Sequence, residues 1–375
     1  MKVLIDGTML DGQPSGAATR LKGLGAAHRE AARVDVSYVV RPGIDPLPGL
    51  RCLPCPGMDT PLRRMVAARR LETLVQQTGA DLLVLGALPV AAVSSVPVAL
   101  TLHDLRFLQR GPGVPWWRRL WAARCLPGNL RRVAAVIAVS QTTASGVLAH
   151  GLMDASRVHV VPNGPTPGLS LAGDVAPIAD FRSRLGLNQR YVLTVGPLAA
   201  HKAVGDMLAA LAAARTHPEG ADLALVLAGR ADPDRALTVA QAARRLGVEQ
   251  AIAITGWLSD DELSAAMSGA EALLLAGRHE GFSIPALDAM ALGLPVVGAR
   301  AGALPETCGE AALLVPPGDA EAAGEALVSA TEPGPTRERL IRAGRQRAAA
   351  FSWDEQALRL EGIWEGLVAE ASSNE

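Results

Sequence analysis

Residues 278 to 297 run Arg278-His279-Glu280-Gly281-Phe282-Ser283-Ile284-Pro285-Ala286-Leu287-Asp288-Ala289-Met290-Ala291-Leu292-Gly293-Leu294-Pro295-Val296-Val297, a pattern of loop, helix, tight turn and strand. The apolar run at 272–275 just before it has strand length, so Glu280 and Gly281 fall in the loop leaving a buried strand. Ile284 to Ala291 is spaced as a helix, with Pro285 tolerated in its first turn. The N–H groups at Phe282, Ser283 and Ile284 then form a helix N-terminus, an anion site whose natural guest is a diphosphate. Asp288 lies eight residues after Glu280. Two carboxylates repel a phosphate, so beside one they make sense as acceptors of hydrogen bonds from sugar hydroxyls. The alternative is a capped surface helix with two solvated acids.

The same alternation continues on both sides of this stretch. Candidate strands are 3–5, 36–40, 82–85, 98–102, 135–139 and 158–161. A second series lies at 192–195, 224–228, 253–255, 272–275, 295–297 and 312–315, with helices such as 204–213, 237–246, 262–268 and 284–291 between them. Alternation of this kind predicts an α/β chain with two doubly wound parallel-sheet domains. The segment 162–180 holds Pro162, Pro165, Pro167 and Pro177 with Gly164, Gly168 and Gly173, and it separates the two series as a linker. The expected domains are 1–165 and 166–350, with a closing helix in 351–375. Ligands of such sheets bind at the carboxyl ends of the strands, so the expected site is a cleft where two such edges face each other.

Composition narrows the function classes. At 375 residues the chain suits two domains, and 49% hydrophobic against 19% charged residues excludes a disordered chain. A formal net charge of −1 lacks the basic excess of a duplex binder, so no nucleic-acid partner is expected. Cys52 and Cys55 form a C-x-x-C, but no second pair completes a zinc site, and with Cys125 and Cys308 they read as unpaired thiols of a reducing compartment. The opening Met1-Lys2-Val3-Leu4-Ile5-Asp6 reads as a strand rather than a signal peptide. The uncharged stretch 82–102 is broken by Pro89, Ser94, Ser95 and Pro97 and reads as two buried strands joined by a turn, not a spanning helix. Asp232-Pro233-Asp234 mimics a metal-binding D-x-D and reads as a loop cap.

The stretch 280–297 resembles the E-x7-E signature of retaining GT-B glycosyltransferases of family 4, usually E-G-F-G-x-P-x-x-E-A-M-A-x-G-x-P-V-V. It keeps E-G-F, P, A-M-A, G and P-V-V. Ser283 stands in place of the second glycine and takes up room beside the phosphates. Asp288 stands in place of the second glutamate, with a shorter reach. Val195-Gly196-Pro197-Leu198-Ala199-Ala200-His201-Lys202 is similar to the family's V-G-x-L-x-x-R-K, with His201 where arginine is usual. Leu102-His103-Asp104-Leu105 resembles its H-D-L motif, and Gly16-Ala17, after a loop with Gly7, Gly12, Pro14 and Ser15, resembles its first-domain loop. Val139-Ser140, Val160-Val161-Pro162-Asn163-Gly164, Gly256-Trp257-Leu258-Ser259-Asp260-Asp261-Glu262-Leu263 and Phe351-Ser352-Trp353 match further family segments, so the resemblance covers most of the chain. Gly23-Leu24-Gly25 is an incomplete glycine signature inside a helix.

The resemblance implies a pair of Rossmann-like domains and a last helix that crosses back to the first. It implies metal-independent transfer of a sugar from a nucleotide-diphosphate sugar to an acceptor, with retention of configuration and no cofactor. Glu280 is then assigned to the donor sugar and Asp288 to the ribose. Lys202 and His201, beside Gly196 and with the amides at Gly281 to Ile284, hold the leaving diphosphate. Trp257 and Leu258 lie beside the base, His103 contacts the transferred sugar, and Gly16 and Ala17 serve donor phosphate and acceptor. A non-catalytic nucleotide-sugar binder or partner subunit, or a sugar epimerase or phosphorylase on the same fold, stays open as an alternative. Between Arg106 and Arg132, Trp116, Trp117 and Trp121 alternate with Arg118, Arg119, Arg124, Arg131 and Arg132. That composition suits a membrane interface or a lipid-diphosphate acceptor, the alternative being a helix that packs its indoles inward. The acceptor class is a saccharide, a lipid-linked sugar or a small molecule, and the expected location is the cytoplasm or the cytoplasmic face of a membrane.

Overall fold

A computed structural model describes the chain except for residues 9–14, 32, 44–46, 48, 56–60, 87, 89–92, 94, 109–115, 172–174 and 374–375. Gly12, Pro14, Pro89, Ser94 and Gly173 lie outside the described residues. The chain divides into two units, Met1–Pro167 with Phe351–Glu375, and Gly168–Ala350.

The first unit runs β1 (Lys2–Asp6), α1 (Gly16–Ala31), β2 (Asp35–Val40), β3 (Arg51–Pro54), α2 (Pro61–Thr78), β4 (Leu82–Leu85), β5 (Val98–Leu102), α3 (Trp116–Leu130), β6 (Ala135–Ala138), α4 (Gln141–Ala149) and β7 (Val158–Val160). The second runs α5 (Val175–Arg184), β8 (Tyr191–Val195), α6 (Val204–Ala214), β9 (Ala224–Ala228), α7 (Pro233–Arg245), β10 (Ile252–Gly256), α8 (Asp260–Ser268), β11 (Ala272–Leu275), α9 (Ile284–Leu292), β12 (Val296–Ala299), α10 (Leu304–Cys308), β13 (Ala312–Val315), α11 (Ala320–Thr331) and α12 (Pro335–Ala348). The closing α13 (Trp353–Ser373) packs on α1 in the first unit.

Both sheets are parallel. The first has the order β3-β2-β1-β4-β5-β6-β7 and the second β10-β9-β8-β11-β12-β13. Strand order therefore reverses between β1 and β4 in one sheet and between β8 and β11 in the other. Loops diverge there and leave a crevice at the carboxyl edge. Both faces of the first sheet are covered: Val3 and Ile5 pack with α1 and α13, whereas Leu4 faces the opposite cluster with Leu71 and Leu126. This period-2 division explains why its strands read as continuous apolar runs. The stretch 82–102 is two strands side by side, Leu83 opposite Val98. No helix among the described residues is long and apolar enough to cross a membrane.

Two expectations change. β3 was not anticipated: it is a four-residue edge strand, only half-buried, that ends on Pro54, and it presents no apolar run to read. The linker is shorter than 162–180, because α5 begins at Val175 and accommodates Pro177 in its first turn, where a proline costs no helical hydrogen bond. The cysteines carry no disulfide.

Candidate functional site

The second unit brings the expected residues to the carboxyl edge of its sheet. β8 ends at Val195, and Gly196 follows with φ 132°, a conformation open to glycine. Gly229, after β9, approaches so closely that a β-carbon there would lie 1.8 Å from the Gly196 carbonyl oxygen. A short turn, Ala200–Lys202, ends on Ala203 in the left-handed region before α6 starts. This turn aims Lys202 back over Gly196, whose own β-carbon would sit 3.3 Å from Lys202 Cε.

Glu280 comes from the neighbouring strand, β11. Lys202 Nζ donates to Glu280 Oε1 at 2.7 Å, and the two side chains are 16% and 9% exposed. Glycines crowd this carboxylate. A β-carbon on Gly277 would lie 2.8 Å from Glu280 Oε1, and one on Gly302 2.6 Å from the Glu280 nitrogen. The Ala303 N–H donates to the Glu280 carbonyl at 2.9 Å, the Thr307 hydroxyl to the Phe282 carbonyl, and Arg347 Nε to the Thr307 carbonyl at 3.0 Å. The loop is thus pinned from β12, α10 and α12. Asp288, in the second turn of α9, is 3% exposed. Neither acid is solvated, so the surface-helix alternative fails.

Ser283 is the N-cap of α9 at φ 77° and ψ 69°, buried, and its hydroxyl has no partner among the described residues. The expectation was that its side chain takes up room beside the phosphates. The more direct consequence is in the backbone: the position needs the left-handed conformation that the family's usual glycine adopts freely. Gly293, at φ 76°, closes the same helix, and a β-carbon there would meet the Arg345 guanidinium at 2.7 Å.

Trp257 and Leu258 follow β10 at the same edge; Trp257 is 51% exposed and Leu258 half-buried. Ser259 next to them forms a capping box with Glu262, and Arg184 donates to Glu262 at 2.8 Å, so the acids of that segment hold the start of α8. Asp232 caps α7 by accepting from the Arg235 N–H at 2.8 Å, as a loop cap should. Among the described residues no cluster of three or more His, Cys, Asp or Glu side chains is arranged to hold a metal ion. Gly281 and Phe282 complete the loop, with Phe282 buried, and His201 lies half-buried one residue before Lys202.

In the first unit, Ser15 caps α1 by accepting from the Ala18 N–H at 3.1 Å, which makes Gly16 and Ala17 the first residues of that helix. His103 follows β5, and its pKa falls to about 4: burial is the main cause, Arg20 adds to it, and Asp104 opposes it. Asp104 holds the loop through Arg106, accepting from its N–H at 3.0 Å and its Nε at 2.9 Å. Arg20 is 2% exposed and was not anticipated. Its Nη1 donates to the Val161 and Pro162 carbonyls and to Asn163 Oδ1 at 3.0, 2.9 and 2.8 Å, and burial pulls its pKa to about 10. Trp353 of the F-S-W segment packs against Gly23 and Gly164, where a β-carbon would lie 2.1 and 2.8 Å from its ring, and its Nε1 donates to the Pro165 carbonyl at 2.6 Å. Gly23 is therefore a packing residue, not a phosphate loop. On α3, Ala122, Leu126 and Leu130 are buried, while Trp117 and Leu120 are 54% and 44% exposed. Trp117 does not point inward; the side chains of Trp116, Arg118 and Trp121 lie outside the described residues.

Comparison with known proteins agrees across both units. The model of Glycosyltransferase Family 4 matches residues 14–166, and that of Glycosyl transferases group 1 matches residues 189–332. The 2-deoxystreptamine glucosyltransferase of Streptomyces kanamyceticus is 33% identical over 272 residues, 69% of this chain and 67% of the relative. The MMP alpha-(1->4)-mannosyltransferase of Mycolicibacterium hassiacum is 29% identical over 69% of this chain, and the match spans 62% of that relative's length, less than two thirds. Among solved structures, sucrose-phosphate synthase from Thermosynechococcus elongatus superposes with a TM-score of 0.79 at 21% identity, covering 98% of this chain and 99% of that one. Anabaena Alr3699/HepE in complex with UDP and glucose gives 0.76 at 19%, covering 98% and 100%. The two parallel sheets are those of the GT-B fold, and with matching family models in both units the chain belongs to the family 4, group 1 glycosyltransferases.

Proposed function

We propose that the protein transfers a hexosyl group from a nucleotide-diphosphate sugar to an acceptor, with retention of anomeric configuration and without a metal. The observation that carries this is the Lys202–Glu280 pair at the reversal of strand order in the second sheet, held in a cradle of Gly196, Gly277 and Gly302. The glycines leave room for the Lys202 side chain and for the side chain and backbone of Glu280 to come together. The pair supplies one cation for a diphosphate and one carboxylate for a sugar hydroxyl.

In this reading the donor's phosphates draw Lys202 away from Glu280, which frees the carboxylate to orient the sugar. Lys202, His201 and the amides from Gly281 to Ile284 stabilise charge that builds on the diphosphate as the glycosidic bond breaks. That set of positive groups takes the place a metal would fill. Asp288 takes the ribose, and Trp257 and Leu258 the base. His103, neutral at physiological pH, contacts the transferred sugar, and Gly16 and Ala17 serve the phosphate and acceptor. The chain is placed in the cytoplasm, with peripheral membrane contact through Arg106–Arg132, supported by the exposed Trp117 and Leu120 on α3.

The test is thermal unfolding of the full chain against a panel of nucleoside diphosphates and their sugars, without added metal and with a chelator. A bound donor stabilises by RT ln(1 + [L]/Kd), about 2.7 kcal/mol at a hundredfold excess over Kd. At least one nucleotide should raise the unfolding temperature, Lys202→Ala should abolish most of that rise, and transfer should survive the chelator. No response to any nucleotide overturns the reading.

A further inference from the structure

The first sheet has its own crevice at the point where strand order reverses, between β1 and β4. The cavity there is lined by Ile5, Ala17, Arg20, Thr101, His103 and Trp364, among other residues, and no carboxylate among the described residues lines it. Its polar lining is rich in donors. Arg20 spends Nη1 on the 161–163 loop, but its buried Nη2 has no partner among the described residues. Trp364 on α13 is 1% exposed and its Nε1 is likewise unpartnered. Among the described residues the two buried acids of this unit do not line the cavity: Asp6 accepts from the N–H and hydroxyl of Thr8, and Glu361 accepts from the backbone of Arg33 while its Oε2 has no partner.

A buried cation without a counter-charge is costly, and so is each buried N–H left without an acceptor. A water molecule would satisfy the N–H groups and leave the charge uncompensated. An oxyanion answers both needs. We infer that this cavity receives an anionic oxygen group, a carboxylate or phosphoryl carried by the acceptor, with Arg20 Nη2 and Trp364 Nε1 as its donors and His103 at its rim. Only the assignment of the anion to the acceptor rests on the transfer reading above; the anion site itself does not.

The experiment uses the full chain, without nucleotide, and titrates acetate and inorganic phosphate against chloride at constant ionic strength. Thermal unfolding reads affinity, and the His103 ring signals in NMR read location. The titrations are repeated in Lys202→Ala, which removes the phosphate contact of the other unit. At least one oxyanion should stabilise saturably and move the His103 signals in both backgrounds. Trp364→Phe keeps the apolar packing and removes only the N–H, and should weaken binding about three- to tenfold. Arg20→Lys keeps the charge but loses the fork, and should weaken it by about tenfold or more. If Arg20→Lys does not fold, Trp364→Phe carries the test. An equal response to all three anions, unmoved His103 signals, or unchanged affinity in Trp364→Phe overturns the inference. Nucleotide binding at Lys202 is measured separately, so either reading can fail while the other stands.

Discussion

The carboxyl edges of the two sheets handle charge in opposite ways. In the second unit the cation brings its own counterion: Lys202 and Glu280 come from β8 and β11, on either side of the strand reversal, and meet at 2.7 Å. In the first unit the cation has none among the described residues: Arg20 is bound by carbonyls and an amide oxygen, beside a histidine held neutral. A self-paired edge must be opened by its ligand, so in the proposed function binding there is a competition between phosphate and carboxylate for one ammonium. An unpaired edge waits for a ligand to supply the missing charge. On the two readings proposed above, the same fold presents one site that releases a carboxylate on binding and one that only gains an anion.

The largest effect that can break this comparison lies at Glu280. Glu280→Gln keeps the side chain's size and removes the competitor for Lys202. Transfer should fall by about 100-fold or more, the cost of a misplaced reacting sugar. Affinity for the nucleoside diphosphate alone should hold or rise, because the repelling carboxylate is gone. Calorimetry beside a transfer assay reads both. A parallel fall in diphosphate affinity would mean that Glu280 and Lys202 do not compete, and the contrast between the edges would be lost.

A second difference concerns acid. His28 in the first unit is 2% exposed, with Nδ1 3.2 Å from the Tyr38 hydroxyl and its ring 5.6 Å from that of Trp364, and burial lowers its pKa to about 4. The unfolded chain binds this proton near pH 6.5 and the folded chain only near 4, so the contribution is complete above 6.5 and is lost as pH falls toward 4. Between pH 7 and pH 5 the first unit should lose about 1 to 2 kcal/mol on this account. Urea titrations at the two pH values should show that loss shrink in His28→Phe. An unchanged pH dependence in the variant would place the acid sensitivity elsewhere.

What could be read in the sequence follows from distance along the chain. The Glu280 loop and α9 were legible because acid, helix start, tight turn and strand fall within twenty residues, where local spacing speaks directly. The cradle was not: Gly229 and Gly302 reach Gly196 and Glu280 from two other loops, and a lone glycine in a loop, Gly277 included, gives no sign of what it makes room for. Arg20 was missed for the same reason. On α1 it reads as one more cation, and only its contacts 141 to 143 residues away show that it is buried. The H-D-L and F-S-W segments were visible as words, but the work of Trp353, seated between Gly23 and Gly164, needs three separate parts of the chain.

The smallest expected effect tests whether the second edge is strained as well as self-paired. Ser283 holds a left-handed backbone that costs a non-glycine residue about 1 to 2 kcal/mol, and it buries a hydroxyl with no partner among the described residues. Ser283→Gly removes both burdens but adds freedom to the unfolded chain worth about 0.5 to 1 kcal/mol. The balance favours glycine by about 1 kcal/mol, read as a higher urea midpoint with an unchanged slope. Ser283→Ala removes the hydroxyl and keeps the strain, so its gain should be smaller. If alanine stabilises as much as glycine, the hydroxyl and not the backbone is the source of strain, and the left-handed turn that opens α9 is then held at no cost by the packing around it.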